Sequence, residues 1–189
     1  MTTMKTMNRM LNGVDVTKLM EMMEQIRVQP ELAAFKFRSR NRWIDGGHNR
    51  STIKEFYGLS REDMTREKAF IMDNDEPATL LGSDRGANPV EYVLHALAGC
   101  LTTTLVYYAA AMGIKIDEIE SMYEGDIDVQ GLLGLSDKVR NGYQNIRVKF
   151  MIKSDAPKEK LEELILLAQG HSPVFDTLSR PVKVDVSLA

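Results

Sequence analysis

The sequence predicts an α+β domain in which antiparallel strands surround one long helix. Three observations lead there. Residues 88–113 form one helical run that is apolar or small almost throughout. Several shorter segments alternate apolar and polar residues, the period of a half-buried strand. The order of these elements (strand pair, long helix, strands, helix, strand) differs from the strict βαβ alternation of a parallel sheet.

In chain order, residues 1–32 stand apart as a Met-rich helical arm, with residues 33–189 forming the domain. Seven of the twelve methionines fall in the arm, and Met1, Met4, Met7 and Met10 recur every third residue. From Asp15 to about Val28, Leu19, Met20, Met22, Met23 and Ile26 keep largely helical spacing, and Pro30 ends the run. Methionine adapts to irregular surfaces, so the arm suits packing on its own domain or docking on a partner. Leu32 to Ile44 alternates, with Arg38, Arg40 and Arg42 opposite Phe35, Phe37 and Trp43, and reads as a strand with a basic face. Asp45-Gly46-Gly47-His48-Asn49 is a turn, and Ser51 to Gly58 is the return strand of the hairpin. Arg61 to Glu67 reads as a charged loop, with short strands expected at Lys68–Met72 and Thr79–Leu81.

The long helix carries its own boundaries. Asn88 caps, Pro89 fits the first helical position, Glu91 sits at the capping-box position, and Gly113 supplies a left-handed stop. No ordinary solvent face is evident, so the helix is expected to be buried. Glu91, His95 and Thr102–Thr104 argue against a lipid span. After it, Ile114 to Gln130 reads as a strand, Gly131 to Gly142 as a loop with apolar Leu132, Leu133 and Leu135, and Ile146 to Lys153 as another strand. A helix follows to Gly170, then a short one capped by Ser172 with Pro173 at its first position, and Val182–Leu188 is expected to close the chain as a strand.

A formal net charge of -3 gives no basic footprint for nucleic acid or an anionic membrane. A single cysteine supports neither an internal disulfide nor a cysteine-based zinc site. His48, His95 and His171 have no ligand spacing, so no metal is expected, and the absence of P-loop, GxGxxG and GxSxG motifs leaves nucleotide and serine-hydrolase readings without an anchor. No apolar signal sequence is seen, and a cytoplasmic setting is the expectation. Cys100 lies mid-helix, away from the N-terminal dipole, and needs a cation from elsewhere to become nucleophilic.

Asn88-Pro89-x-Glu91 followed by Ala96-Leu97-Ala98-Gly99-Cys100, with His171-Ser172-Pro173-Val174 after the second helix, resembles the OsmC/Ohr family over about residues 33–189. The resemblance implies an intertwined homodimer with the cysteine-bearing helix central and sheets shared between copies. It also implies reduction of organic hydroperoxides by a peroxidatic cysteine matching Cys100, held by a hairpin-loop arginine and a glutamate. Arg50 and Glu91 are the candidates for these, with Arg42, His48, His171 and Ser172 as further pocket residues. Departures are plain. Ser172 occupies the resolving-cysteine position, Val90 the position directly after Asn-Pro, and His48 the loop-arginine position. The leading expectation is a one-cysteine peroxidase that needs no cofactor and is regenerated by an external thiol. A family-fold protein binding an apolar small molecule is the alternative. A hydrolase or transferase pairing Cys100 with a histidine ranks last, because His95 lies about 140° round the helix from Cys100.

Overall fold

The structure, a computed structural model, describes residues 9–188. Ten strands and five α-helices occur among them: β1 Met10–Leu11, β2 Val14–Asp15, α1 Val16–Val28, β3 Lys36–Phe37, β4 Arg40–Asp45, β5 His48–Ile53, β6 Phe56–Gly58, β7 Arg61–Asp63, β8 Phe70–Asn74, α2 Pro89–Ala111, β9 Glu118–Asp126, α3 Val129–Leu132, β10 Asn145–Lys153, α4 Lys158–His171 and α5 Pro173–Ser179. All strand pairs are antiparallel, giving the expected α+β class. The described residues divide into two compact units, residues 17–93 and residues 9–16 with 94–188.

In the first unit the predicted hairpin is present but bent. β4 pairs with β5 and, beyond a break at Arg38-Ser39, β3 pairs with β6. β8 lies on the far side of β5, so the order is β4-β5-β8, and the second sheet is β3-β6-β7. Two expectations change here. Arg61–Asp63, read as loop, is a strand because it pairs with β6 through the tight turn at Leu59 and Ser60, both at positive φ. Thr79–Leu81, read as strand, lies at a 3-10 turn over Ala78–Leu80 that ends on left-handed Leu81.

The second unit is built on β9 and β10, which pair in continuous register from Glu118↔Lys153 to Asp126↔Asn145. Its core is Leu105, Ala109, Leu164 and Ala168, with Ile116, Ile119, Phe150, Ile152 and Leu161 packed around them. β9 alternates exposed and half-buried, placing Glu118, Glu120, Glu124 and Asp126 outward, as its sequence pattern requires. The expected strand is shorter than Ile114–Gln130, since Asp128 caps α3 by accepting from Gln130 N. Met10, expected in a helical run, lies in a hairpin closed by Asn12 and Gly13, both at positive φ. The Asn-Gly pair is the two-residue turn chemistry that favours this geometry. Asn12 then clips the hairpin to the strand entry, its Nδ2 donating to Ile114 O at 2.8 Å while its Oδ1 accepts from Ile116 N at 2.9 Å.

The expected terminal strand Val182–Leu188 does not form and the segment is unpaired, with Val186 91% and Leu188 102% exposed. Alternation supplies a strand pattern, but a strand also needs a neighbour for its backbone groups. The expectation of a helix without a solvent face is corrected as well. Within α2, Leu97, Leu101, Leu105 and Ala109 form a buried stripe, while His95, Gly99, Thr103, Tyr107 and Ala111 form an exposed one. These stripes lie on opposite sides of the helix, two positions or about 200° apart. One chain therefore covers only one side of α2. By length and composition alone α2 could cross a membrane, yet its buried stripe packs into a protein core.

Candidate active site

The first unit gathers polar residues at the turn end of its hairpin. Arg50 and Asp73 are directly opposite on β5 and β8. The guanidinium grips the carboxylate in two places, Nε to Oδ1 at 2.9 Å and Nη2 to Oδ2 at 3.0 Å. His48, 8% exposed, places Nε2 2.8 Å from the same Oδ1, and Arg85 Nη1 lies 3.5 Å from His48 Nδ1. The hydrogen bonds from Arg50 and then His48 hold the Asp73 carboxyl below its ordinary value, and Asp73 in turn raises Arg50.

Asp75, 2% exposed, is the buried anchor beside this cluster. Its Oδ1 accepts from Glu76 N at 2.8 Å, and its Oδ2 from Ser83 N at 3.2 Å and Arg85 N at 3.1 Å. Burial alone would push this carboxyl up, but the backbone donors of Arg85, Glu76 and Ser83 together outweigh it and lower the value. The loop 82–86 can wrap so tightly only because it begins and ends in glycine. A Cβ on Gly82 would sit 1.8 Å from Glu76 O, and one on Gly86 2.1 Å from Asp73 O.

The start of α2 joins the same cluster. Asn88 Oδ1 accepts from Val90 N at 2.9 Å, and Glu91 Oε2 accepts from Asn88 N at 2.8 Å, which is the reciprocal capping box. Asn88 Nδ2 donates to Glu76, and Tyr92 donates its hydroxyl proton to Asp73 O at 2.9 Å. Glu91 is thus engaged as a cap. Arg42 is directly opposite Arg50 on β4, exposed at the sheet surface.

In the second unit, Cys100 is a free, half-buried thiol. It lies between the two stripes, about 60° round the helix from Leu97 of the buried one and about 60° from Thr103 of the exposed one. Its carbonyl accepts from Thr104 Oγ1 at 2.8 Å, and within this unit its sulfur makes no hydrogen bond among the described residues. Glu91 stands nine positions earlier on the same helix, about 180° round and roughly 13 Å along a straight helix, so the two side chains diverge. His171 stacks on Tyr108 with ring centroids 5.1 Å apart. Ser172, 1% exposed, caps α5, its Oγ accepting from Phe175 N at 3.2 Å. Of the predicted residues, His48, Arg50, Arg42 and Glu91 therefore belong to the first unit, and Cys100, His171 and Ser172 to the second. Sequence reading missed Asp73, Asp75 and Arg85. Asp73 gave no motif signal, whereas Asp75 preceding a glycine-bounded loop was a usable one. No group of three or more metal-ligating side chains converges among the described residues.

The architecture is similar to several solved structures. An OsmC-like protein from Mycoplasma pneumoniae matches with a TM-score of 0.60 at 17% identity, over 77% of this chain and 89% of that one. An OsmC-like protein of unknown function from Vibrio cholerae gives 0.57 at 10% identity, over 75% and 92%. An organic hydroperoxide resistance protein OsmC from Legionella pneumophila gives 0.55 at 15% identity, over 78% and 92%. These likenesses define the fold class. A search of curated protein sequences finds no match. The family profile described as OsmC-like protein matches residues 82–187, more than half of the chain, and the chain belongs to that family.

Proposed function

We propose that this protein is a one-cysteine, thiol-dependent peroxidase acting on organic hydroperoxides or hydrogen peroxide, and that it works as a homodimer. The observation that carries the reading is the placement of Cys100 on the flank of α2, half-exposed, beside a helix face that its own chain leaves open. That face is lined by Ala96, Gly99 and Thr103, small enough for close approach of a second copy. Nothing lies within 4 Å of where a Cβ on Gly99 would stand. The unpaired apolar segment Val182–Leu188 is a second surface that such an assembly would cover.

The chemistry follows from a single thiol. The Cys100 thiolate attacks one peroxide oxygen, the O–O bond breaks, and the protein leaves as Cys–SOH while the substrate leaves as an alkoxide that takes up a proton to become the alcohol. An external thiol then condenses with the sulfenic acid, releasing water and forming a mixed disulfide. A second thiol equivalent restores Cys100 and departs as a disulfide. Ser172 carries no sulfur and is occupied as a helix cap, so resolution is external. Because Glu91 and Cys100 diverge on one helix, polar residues that assist the thiolate would come from the second copy, with Arg50 and Glu91 as the candidates. Arg50 is fixed on Asp73, which makes it a preorganised donor rather than a mobile one.

Intact-mass measurement after stoichiometric cumene hydroperoxide tests this. The expected product gains one oxygen, or one thiol adduct when a monothiol is present, and Cys100→Ser gains neither. A folded wild-type protein that stays unmodified overturns the reading. One observation favours a different role. Leu132, Leu133 and Leu135 are each more than 60% exposed, an apolar cluster that an apolar small molecule could cover. Native mass spectrometry that finds a retained ligand on a peroxide-inert protein would establish that role instead.

A further inference from the structure

The sheet β4-β5-β8 carries a cationic face of which the peroxidase reading uses only Arg50. Register places Arg42, Arg50 and Asp73 side by side across the three strands, and Arg40, Thr52 and Ile71 in the next row on the same face. Arg42 and Arg50 are direct cross-strand partners, with Cβ atoms expected roughly 5 Å apart, and Arg40 follows Arg42 at about 6.6 Å along the strand. Like charges placed directly opposite oppose sheet formation. Of these three arginines Asp73 answers only Arg50, using both carboxylate oxygens, and it also receives His48. Arg40 and Arg42 are exposed and have no carboxylate within ion-pair distance among the described residues. The contrast with other arginines is plain: Arg38 is paired with Glu62, and Arg147 with Glu124 and Asp126.

We propose that this face, formed by Arg40, Arg42 and Arg50, binds a phosphate group of a small molecule. Three guanidiniums against one carboxylate leave two positive charges uncompensated, which matches the dianionic charge of a phosphate monoester. The fork geometry of arginine suits phosphate oxygens, and three donors arranged as a triangle fit a group with three terminal oxygens better than a carboxylate with two. Arg50 is preorganised because Asp73 takes its Nε and Nη2, leaving Nη1 free to donate. Thr52, between Arg40 and Ile71, offers a hydroxyl donor on the same face. Arg85, held beside His48, extends the positive potential along the sheet. The assignment shares Arg50 with the peroxidase reading but needs no reaction at Cys100, so the two can fail separately.

Isothermal titration of the full chain with inorganic pyrophosphate and inorganic phosphate at low salt tests it, with succinate as the carboxylate arm. Pyrophosphate is expected to bind saturably with Kd on the order of 1 mM or tighter. Arg42→Gln is expected to weaken it by about tenfold, as loss of a charge-assisted pair requires. Arg38→Gln, which removes an arginine already paired to Glu62, is the control and leaves binding within about twofold. Absence of saturable binding overturns the proposal, as does equal weakening by Arg38→Gln and Arg42→Gln. Succinate binding as tightly as pyrophosphate overturns the phosphate assignment. If Arg42→Gln instead promotes self-association with pyrophosphate binding unchanged, the arginines protect the edge of the sheet and the proposal fails.

Discussion

The Asp73–Asp75 cluster and the Cys100 stretch of α2 are opposite solutions to the problem of polar groups in a fold. In the first, each group is answered: Asp75 by three backbone donors, Asp73 by Arg50 and His48, Asn88 by Glu91 and Glu76. In the second, a half-buried thiol stands without a side-chain partner in its own unit, next to a helix face left bare. The difference teaches that fully answered polar groups and an unpartnered thiol come from separate stretches of sequence. The hairpin and the 82–86 loop fix cations and carboxylates in place. The helix presents a thiol that has no side-chain partner within its own unit.

The comparison can be broken most severely at the thiol. Cys100→Ser is expected to abolish peroxide turnover, by a factor of at least about 100 in a coupled thiol-oxidation assay, with the thermal midpoint changed by no more than about 2 °C. A large fall in stability would place Cys100 with the structural groups instead. Next comes the buried anchor. Asp75→Ala strands three backbone N–H groups, and scanning calorimetry is expected to register a midpoint lower by on the order of 10 °C.

Asp73 gives a smaller, pH-dependent effect. Its folded-state value is depressed, so its stabilisation is fully present above the unfolded value of about 3.9 and is lost as pH falls through the folded one. Asp73→Asn is therefore expected to be less stable than wild type at pH 7 by urea titration. That gap should close below about pH 4. A gap that persists unchanged at pH 3 would remove the ion pair from the explanation. The smallest expected effect is at the cap: Ser172→Ala should cost about 1 kcal/mol in the same titration. A much larger loss would mean that the hydroxyl does more than hold α5.

Much of this was legible beforehand, and the reasons are local. Asn88-Pro89-x-Glu91 specified the start of α2 because capping is decided by side chains within four residues. Ser172-Pro173 specified α5 for the same reason. The alternation of β9 and β10 was readable because each strand is half-buried and has its neighbour in the chain. Val182–Leu188 has the same pattern, but pairing depends on a partner that spacing does not reveal. The solvent face of α2 was missed because alanine, glycine and threonine read as buried whether they meet a core or a bare surface. At the site, Cys100 and Arg50 could be singled out as residue types, whereas Asp73 emerged only from the register of β5 on β8, a long-range pairing with no short-range signature.

The clip formed by Asn12 bears on how the chain is made. Its two acceptor and donor partners, Ile114 and Ile116, lie 102 and 104 residues further on. Chains fold as they emerge from the ribosome, N-terminal parts first. Here the segment synthesised early must wait while the whole of residues 17–93 appears. Only after Ile116 has left the exit tunnel can the second unit begin to close. The inserted unit, continuous in sequence, can mature during that delay. A pause in translation once residue 93 has cleared the tunnel, but before Ile114 and Ile116 have, would leave the inserted unit complete in sequence while the Asn12 hairpin still lacks both partners.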